Sequence, residues 1–220
     1  YTTLFRSFLK SKSKRLMIPW AIAVLTLIPL YKVLFLYSRG LSQEHWTHYF
    51  HWNSIWNQNW LWFLPVLFLF HVVFLLLSRL RIDLSGLYLR TVVLTGFSLG
   101  LGYSLMMDWL NLQGWTSTFF LHFQNERLLI YFLVFLVGAF CYRQRVFQSP
   151  PKSRWPYRVV AFTAVIPISL YIVLAIYRFI RPGTSLISGT ADFILVHFSF
   201  VVSLICLLYL SIETFRRYVN

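Results

Sequence analysis

The stretch "WLWFLPVLFLFHVVFLLL", Trp60–Leu77, runs for eighteen residues without a charge. A helix needs about 20 apolar residues to cross a bilayer core, with a range of about 17 to 25, so this run is long enough. Outward from it, five more segments are long or apolar enough to cross: Met17–Tyr37, Leu87–Leu110, Leu128–Tyr142, Val159–Phe179 and Ala191–Ser211. The short Leu128–Tyr142 run is expected to borrow from Phe119–Phe123 or to cross where its neighbours thin the bilayer. Lipid offers no partner to an open strand edge, so all six are predicted to be helices. The expected fold is all-α, a polytopic transmembrane helical bundle of about six spans forming a single domain over residues 1–220.

Composition points the same way. Hydrophobic residues make up 58% of the chain and charged residues 12%, and the mean hydropathy is +0.65. A soluble domain carries about 25% charged residues, so this chain lacks the polar groups to cover a surface in water. The net charge of +14 comes in short blocks between apolar runs rather than on one basic face, which argues against a nucleic-acid partner. The two cysteines, Cys141 and Cys206, lie inside apolar runs and form no zinc or disulfide pattern.

The basic residues fall on alternate connectors. Arg6, Lys10, Lys12, Lys14 and Arg15 precede the first span. Arg79, Arg81 and Arg90 separate the second from the third. Arg143, Arg145, Lys152, Arg154 and Arg158 separate the fourth from the fifth, and Arg216 and Arg217 follow the sixth. That leaves Lys32, Arg39, Arg127, Arg178 and Arg181 toward the other side. Cytoplasmic loops carry the excess of Lys and Arg, so both termini are expected in the cytoplasm and the protein in the plasma (inner) membrane, surrounded by lipid. The chain opens on a basic stretch already feeding a helix and ends on "SIETFRRYVN"; it is expected to be a portion of a longer protein.

Gly96, Gly100 and Ser104 recur at four-residue steps, a spacing that lets a second helix approach closely. Pro167 is expected to kink the fifth span, and Pro182–Gly183 to break the chain after it. Pro150, Pro151 and Pro156 are expected to hold the connector before that span as a loop.

The polar segment "QEHWTHYFHWNSIWNQNW", Gln43–Trp60, contains His45, His48 and His51. On a helix, steps of three leave the outer two about 120° apart, and Glu44 is the segment's only carboxylate, so no metal is expected. Trp46, Tyr49, Asn53, Trp56 and Trp60 follow three- and four-residue steps instead. They fit an interfacial aromatic belt or a surface on which a sugar stacks.

Ionisable groups inside spans raise functional questions. His71 and His197 are candidate general bases, with helix-to-helix hydrogen bonding as the plainer alternative. Asp108 and Asp192 lie near outer helix ends and read as interface residues. Asp192 and His197 are offset by about 140° and are not expected to pair. The basic opening reads either as a topology signal or as a clamp for phosphates.

Several stretches together resemble the acyltransferase-3 family of integral membrane enzymes. "FLKSKSKRLMIPW" is similar to that family's R-x-x-R, Leu, Pro helix start. "NWLWFLPVLFLFHVVF" resembles its "hLWFLxxLlxf" helix through Trp62, Phe63 and Leu64. "RLLIYFLVFLVGAFCYRQ" resembles its "fxxFxxGaxxyr" helix through Phe135, Gly138 and Ala139. The resemblance implies transfer of an acyl group, with acyl-CoA as donor substrate and no cofactor, to a hydroxyl of a carbohydrate or lipid-linked acceptor. It implies donor binding by Lys12 and Arg15, where Lys replaces the family's first Arg and loses its bidentate geometry. On the acceptor side it points to Trp60, Trp62 and Asp108. The family's catalytic histidine lies on a helix before the basic loop and has no counterpart here, so this chain alone is expected to be inactive; "ADFILVHFSFVV" resembles the family's closing "sYxiYlxH" helix only through His197. The competing expectation is a non-enzymatic carrier or assembly subunit, which predicts substrate flux without a covalent product.

Overall fold

The computed structural model describes residues 2–42, 45, 59–80, 86–118, 121–148, 153–181 and 183–218. Helix dominates: α1 (Thr2–Ser38), α2 (Phe63–Ser78), α3 (Leu89–Trp109), α4 (Asn125–Arg143), α5 (Arg154–Thr163), α6 (Val165–Ile180) and α7 (Gly189–Tyr218). A short antiparallel pair, β1 (Trp115–Ser117) and β2 (His122–Gln124), is the sheet found among the described residues.

Among the described residues, five stretches are helical, long and apolar enough to cross a membrane: Arg6–Ser38, Leu89–Trp109, Asn125–Arg143, Arg154–Ile180 and Gly189–Tyr218. The sixth expected span is the stretch Trp60–Leu77, and it forms in two pieces. Helix α2 has 16 residues, about 24 Å at 1.5 Å each, which alone falls short of a core about 30 Å thick. The 3₁₀ turn Asn59–Trp62 precedes it directly and adds about 8 Å at 2.0 Å per residue.

Two compact units make up the chain: Tyr1–Gly86 with Gln113–Leu128, and Leu87–Leu112 with Leu129–Asn220. In the first, α1 packs on α2, and Val24 and Ile28 bury against Leu61 with Trp20 and Ala23 around them. Helix α1 runs through the basic opening as well as the expected first span.

In the second unit α7 packs against α6 and α3. Phe97, Ile130 and Val201 form the core, with Val93, Leu101, Val134 and Phe200 packed on it. The small-residue spacing does what it predicts. Gly96, Gly100 and Ser104 are all buried, and a Cβ on Gly100 would lie 2.9 Å from Ile130 Cγ1 of α4. On α7, Asp192, Val196, Ser199 and Ser203 follow four- and three-residue steps and are buried together. The serine hydroxyls donate to their own helix, Ser199 Oγ to Val196 O at 3.2 Å and Ser203 Oγ to Ser199 O at 2.6 Å, so they serve as small residues with no unmet polar need.

The ends of this unit are fixed by polar contacts. At one end Gln144 Nε2 donates to Leu87 O at 3.1 Å, the Tyr157 and Thr214 hydroxyls meet at 3.2 Å, and Arg217 donates to Ser153 O at 3.0 Å. At the other end Asp192 accepts from the backbone of Leu186 and Ile187. Arg90, Arg143, Arg145, Arg154, Arg158, Arg216 and Arg217 therefore gather at one end, and Arg178 and Arg181 at the other.

Three expectations need correction. The fourth span does not draw on Leu121–Phe123: α4 begins at Asn125, and β2 occupies His122–Gln124, while Phe119 and Phe120 lie outside the described residues. Pro156 lies inside the first turn of α5 rather than in a loop, because that turn leaves its N–H groups unpaired and tolerates proline. Pro150 and Pro151 lie outside the described residues. The expected kink at Pro167 appears three residues upstream, as the α5–α6 break at Ala164. Proline offers no N–H to the Thr163 carbonyl and its ring crowds it, while Ala164 N still bonds Val160 O at 2.9 Å and Ile168 N bonds Ala164 O at 3.2 Å. Pro182 lies outside the described residues, and Gly183 takes a left-handed φ of 84° after α6.

Candidate functional site

The second unit brings together two residues 89 apart in sequence. His197 Nε2 lies 2.7 Å from Asp108 Oδ2. Asp108 stands in the last turn of α3 and His197 nine residues into α7, and both side chains are nearly buried, at 9% and 11% exposure. The Phe193 ring meets the imidazole edge-on at 5.7 Å. Facing a carboxylate, Nε2 carries the proton, so Nδ1 presents a lone pair. A histidine oriented in this way by an acid is the arrangement that removes a proton from a hydroxyl. Asp108 and His197 are thus partners across α3 and α7, a helix-to-helix hydrogen bond made from the outer end of α3. Asp192 does not pair with His197, as its helical offset predicts, and caps the loop before α7.

In the first unit, His71 lies midway along α2. Its Nδ1 meets Leu67 O at 2.8 Å and its ring centroid lies 6.1 Å from that of Phe8. The Lys12 ammonium sits over the same Phe8 ring, at 5.3 Å. One phenylalanine of α1 thus joins the predicted donor cation to the second candidate histidine. Arg15, about 60° around the helix from Lys12, is exposed. Trp60 falls in the 3₁₀ turn. His45 is exposed in an irregular stretch; His48, His51, Trp46, Tyr49, Asn53 and Trp56 lie outside the described residues. Among the described residues no three metal-ligating side chains gather.

A further cluster escapes sequence reading. Trp62 meets Trp115 of β1 edge-to-face at 5.4 Å, and Trp115 stacks on His122 of β2 at 4.6 Å. His122 Nδ1 pairs with Ser117 Oγ at 2.7 Å, directly across the hairpin. Burial lowers the His122 pKa below the usual histidine value by desolvating the charged form. The hairpin is locked to α4, whose Glu126 accepts from Gly114 N at 3.1 Å and from Gln124 Nε2. The signal lay in "GWTSTFFLHFQNE", where Trp and His sit near a glycine turn, but nothing in that string announces the stacking.

Membrane-length helices, with a His–Asp pair in a buried seam between two of them, define an integral, multi-pass membrane protein. The family model described as an acyltransferase domain matches residues 2–218. The chain belongs to the acyltransferase-3 family, which implies membrane acyltransferase activity. No curated protein and no solved structure matches it.

Proposed function

We propose that the protein transfers an acyl group from acyl-CoA to a hydroxyl of a carbohydrate or lipid-linked acceptor at the plasma membrane, with both termini cytoplasmic and His197 as the proton acceptor. The observation that carries this reading is the 2.7 Å contact between His197 and Asp108. In the proposed step His197 Nδ1 takes the acceptor's hydroxyl proton as the oxygen attacks the thioester carbonyl. The C–S bond then breaks, the acyl–oxygen ester forms, and CoA leaves as a thiolate that takes up a proton. Asp108 orients the ring and stabilises its charged form. Lys12 and Arg15 are assigned to donor phosphates. Trp60 and Trp62 are assigned to the acceptor, and the stacked Trp115 supports that assignment because flat apolar ring faces suit sugars.

His71 is the second candidate, because the neutral carbonyl its ring meets stabilises a charged imidazole less than the Asp108 carboxylate does. Its Nδ1 meets the Leu67 carbonyl of its own helix at 2.8 Å, a contact within one helix rather than between two.

Acyl transfer from labelled acyl-CoA in membranes carrying the protein tests the reading. Asp108→Asn and His197→Gln are expected to lower turnover by about 10²- to 10⁴-fold, the usual worth of a general base, with donor KM unchanged. Lys12→Ala with Arg15→Ala is expected to raise donor KM. Full turnover in His197→Gln would remove the base assignment, and substrate flux without a covalent product would replace the enzyme with a carrier.

A further inference from the structure

At the arginine-rich end of the second unit, a cavity of about 280 Å³ opens between α5 and α7, lined by Arg154, Tyr157, Arg158, Arg217 and Tyr218. Its far wall is held in place. Glu213, 4% exposed, grips Arg216 in a buried ion pair and reaches Arg217 at 3.5 Å. Arg217 also donates to Ser153 O and lies over the Tyr157 ring at 5.1 Å, while Tyr157 meets Thr214. The near wall is different. Arg154 and Arg158, one helical turn apart on α5, are both exposed and make no ion pair with a described residue. Glu213 is thus already shared by Arg216 and Arg217, while three arginines and no carboxylate line the cavity. Like charges a turn apart repel, so this wall is arranged for an anion from outside.

We propose that this cavity is a binding site for a phosphate-ester anion. Arginine forks suit phosphate oxygens two at a time, and Tyr157 and Tyr218 add phenol donors. The volume limits the ligand: pockets that enclose a drug-sized molecule begin at about 300 Å³, so the cavity suits a phosphoryl or diphosphoryl group with the remainder outside. That chemistry reaches this end of the unit from two sources, an anionic phospholipid headgroup or a soluble phosphate ester. The site rests on contacts within the second unit and does not require acyl transfer, so either proposal can fail while the other stands.

The test uses the purified protein in phosphatidylcholine nanodiscs. In one arm sodium pyrophosphate is titrated and binding read by calorimetry. In the other, nanodiscs containing phosphatidylglycerol are used and lipid retained on the protein is counted by native mass spectrometry. Binding or retention that falls at least tenfold in Arg154→Ala/Arg158→Ala and persists in Arg143→Ala/Arg145→Ala supports the site, and the responding arm names the source. If the double alanine variant does not fold, Arg158→Gln is read in its place. Absence of binding in both arms, or equal binding by both double variants, overturns the proposal.

Discussion

Gly100 and Gly102 stand two residues apart on α3 and face opposite demands. A Cβ at Gly100 would press on Ile130 at 2.9 Å and Leu133 at 3.4 Å, whereas nothing lies within 4 Å of one at Gly102. Ile130 is buried, branched and part of the core, so it has little room to yield. Gly100→Ala is expected to cost about 1–3 kcal/mol, the range for overpacking. Gly102→Ala is expected to gain about 0.5–1 kcal/mol by removing a flexible residue from a helix interior. Thermal unfolding in one detergent compares them, and shifts of the same sign would remove the contact argument. The glycine spacing was legible because it is local and periodic. The pairing of Asp108 with His197 was not: it depends on how α3 and α7 are rotated toward each other, which no local pattern encodes. The Trp115–His122 stack was hidden for a related reason, since it forms only when a six-residue sheet aligns its strands.

The break between α5 and α6 isolates the work of one proline. Thr163 keeps its hydroxyl on Val159 O at 2.9 Å, but its carbonyl lacks the partner that residue 167 would supply. A helix-interior proline costs about 3 kcal/mol or more. Pro167→Ala is therefore expected to join Arg154–Ile180 into one uninterrupted helix, raise the unfolding midpoint, and give the new amide at position 167 the slow exchange of a helix interior. Exchange there as fast as at an exposed amide would show that the break has another cause. Helix type and approximate placement followed from apolar length alone. Element ends did not. Charged Asn125–Arg127 and the Arg154–Arg158 turn are polar enough to read as connectors, yet both are helical because helices extend past the apolar core and Pro156 fits a first turn. A three-residue strand pair has too little alternation to stand out against neighbouring apolar runs.

Across the second unit, seven described arginines crowd one end and two the other, so the charge bias read along the chain becomes a bias in space. Its proposed meaning, basic end inward, gives an expected outcome. With Cys141 and Cys206 replaced by alanine, Gln148→Cys should react with an impermeant maleimide only from the cytoplasmic side and Ser185→Cys only from the opposite side; the reverse pattern would invert the topology. Helix α7 carries a different lesson. Its most hidden positions include Asp192, His197, Ser199, Ser203, Glu213 and Arg216, while Phe162, Ile166 and Phe179 on α5 and α6 are at least 71% exposed. Relative to a globular protein in water, the polarity is turned inside out. An engineer seeking a detergent-free version should therefore repaint those outward phenylalanines and isoleucines with lysine and glutamate, and leave the serines of the seam untouched.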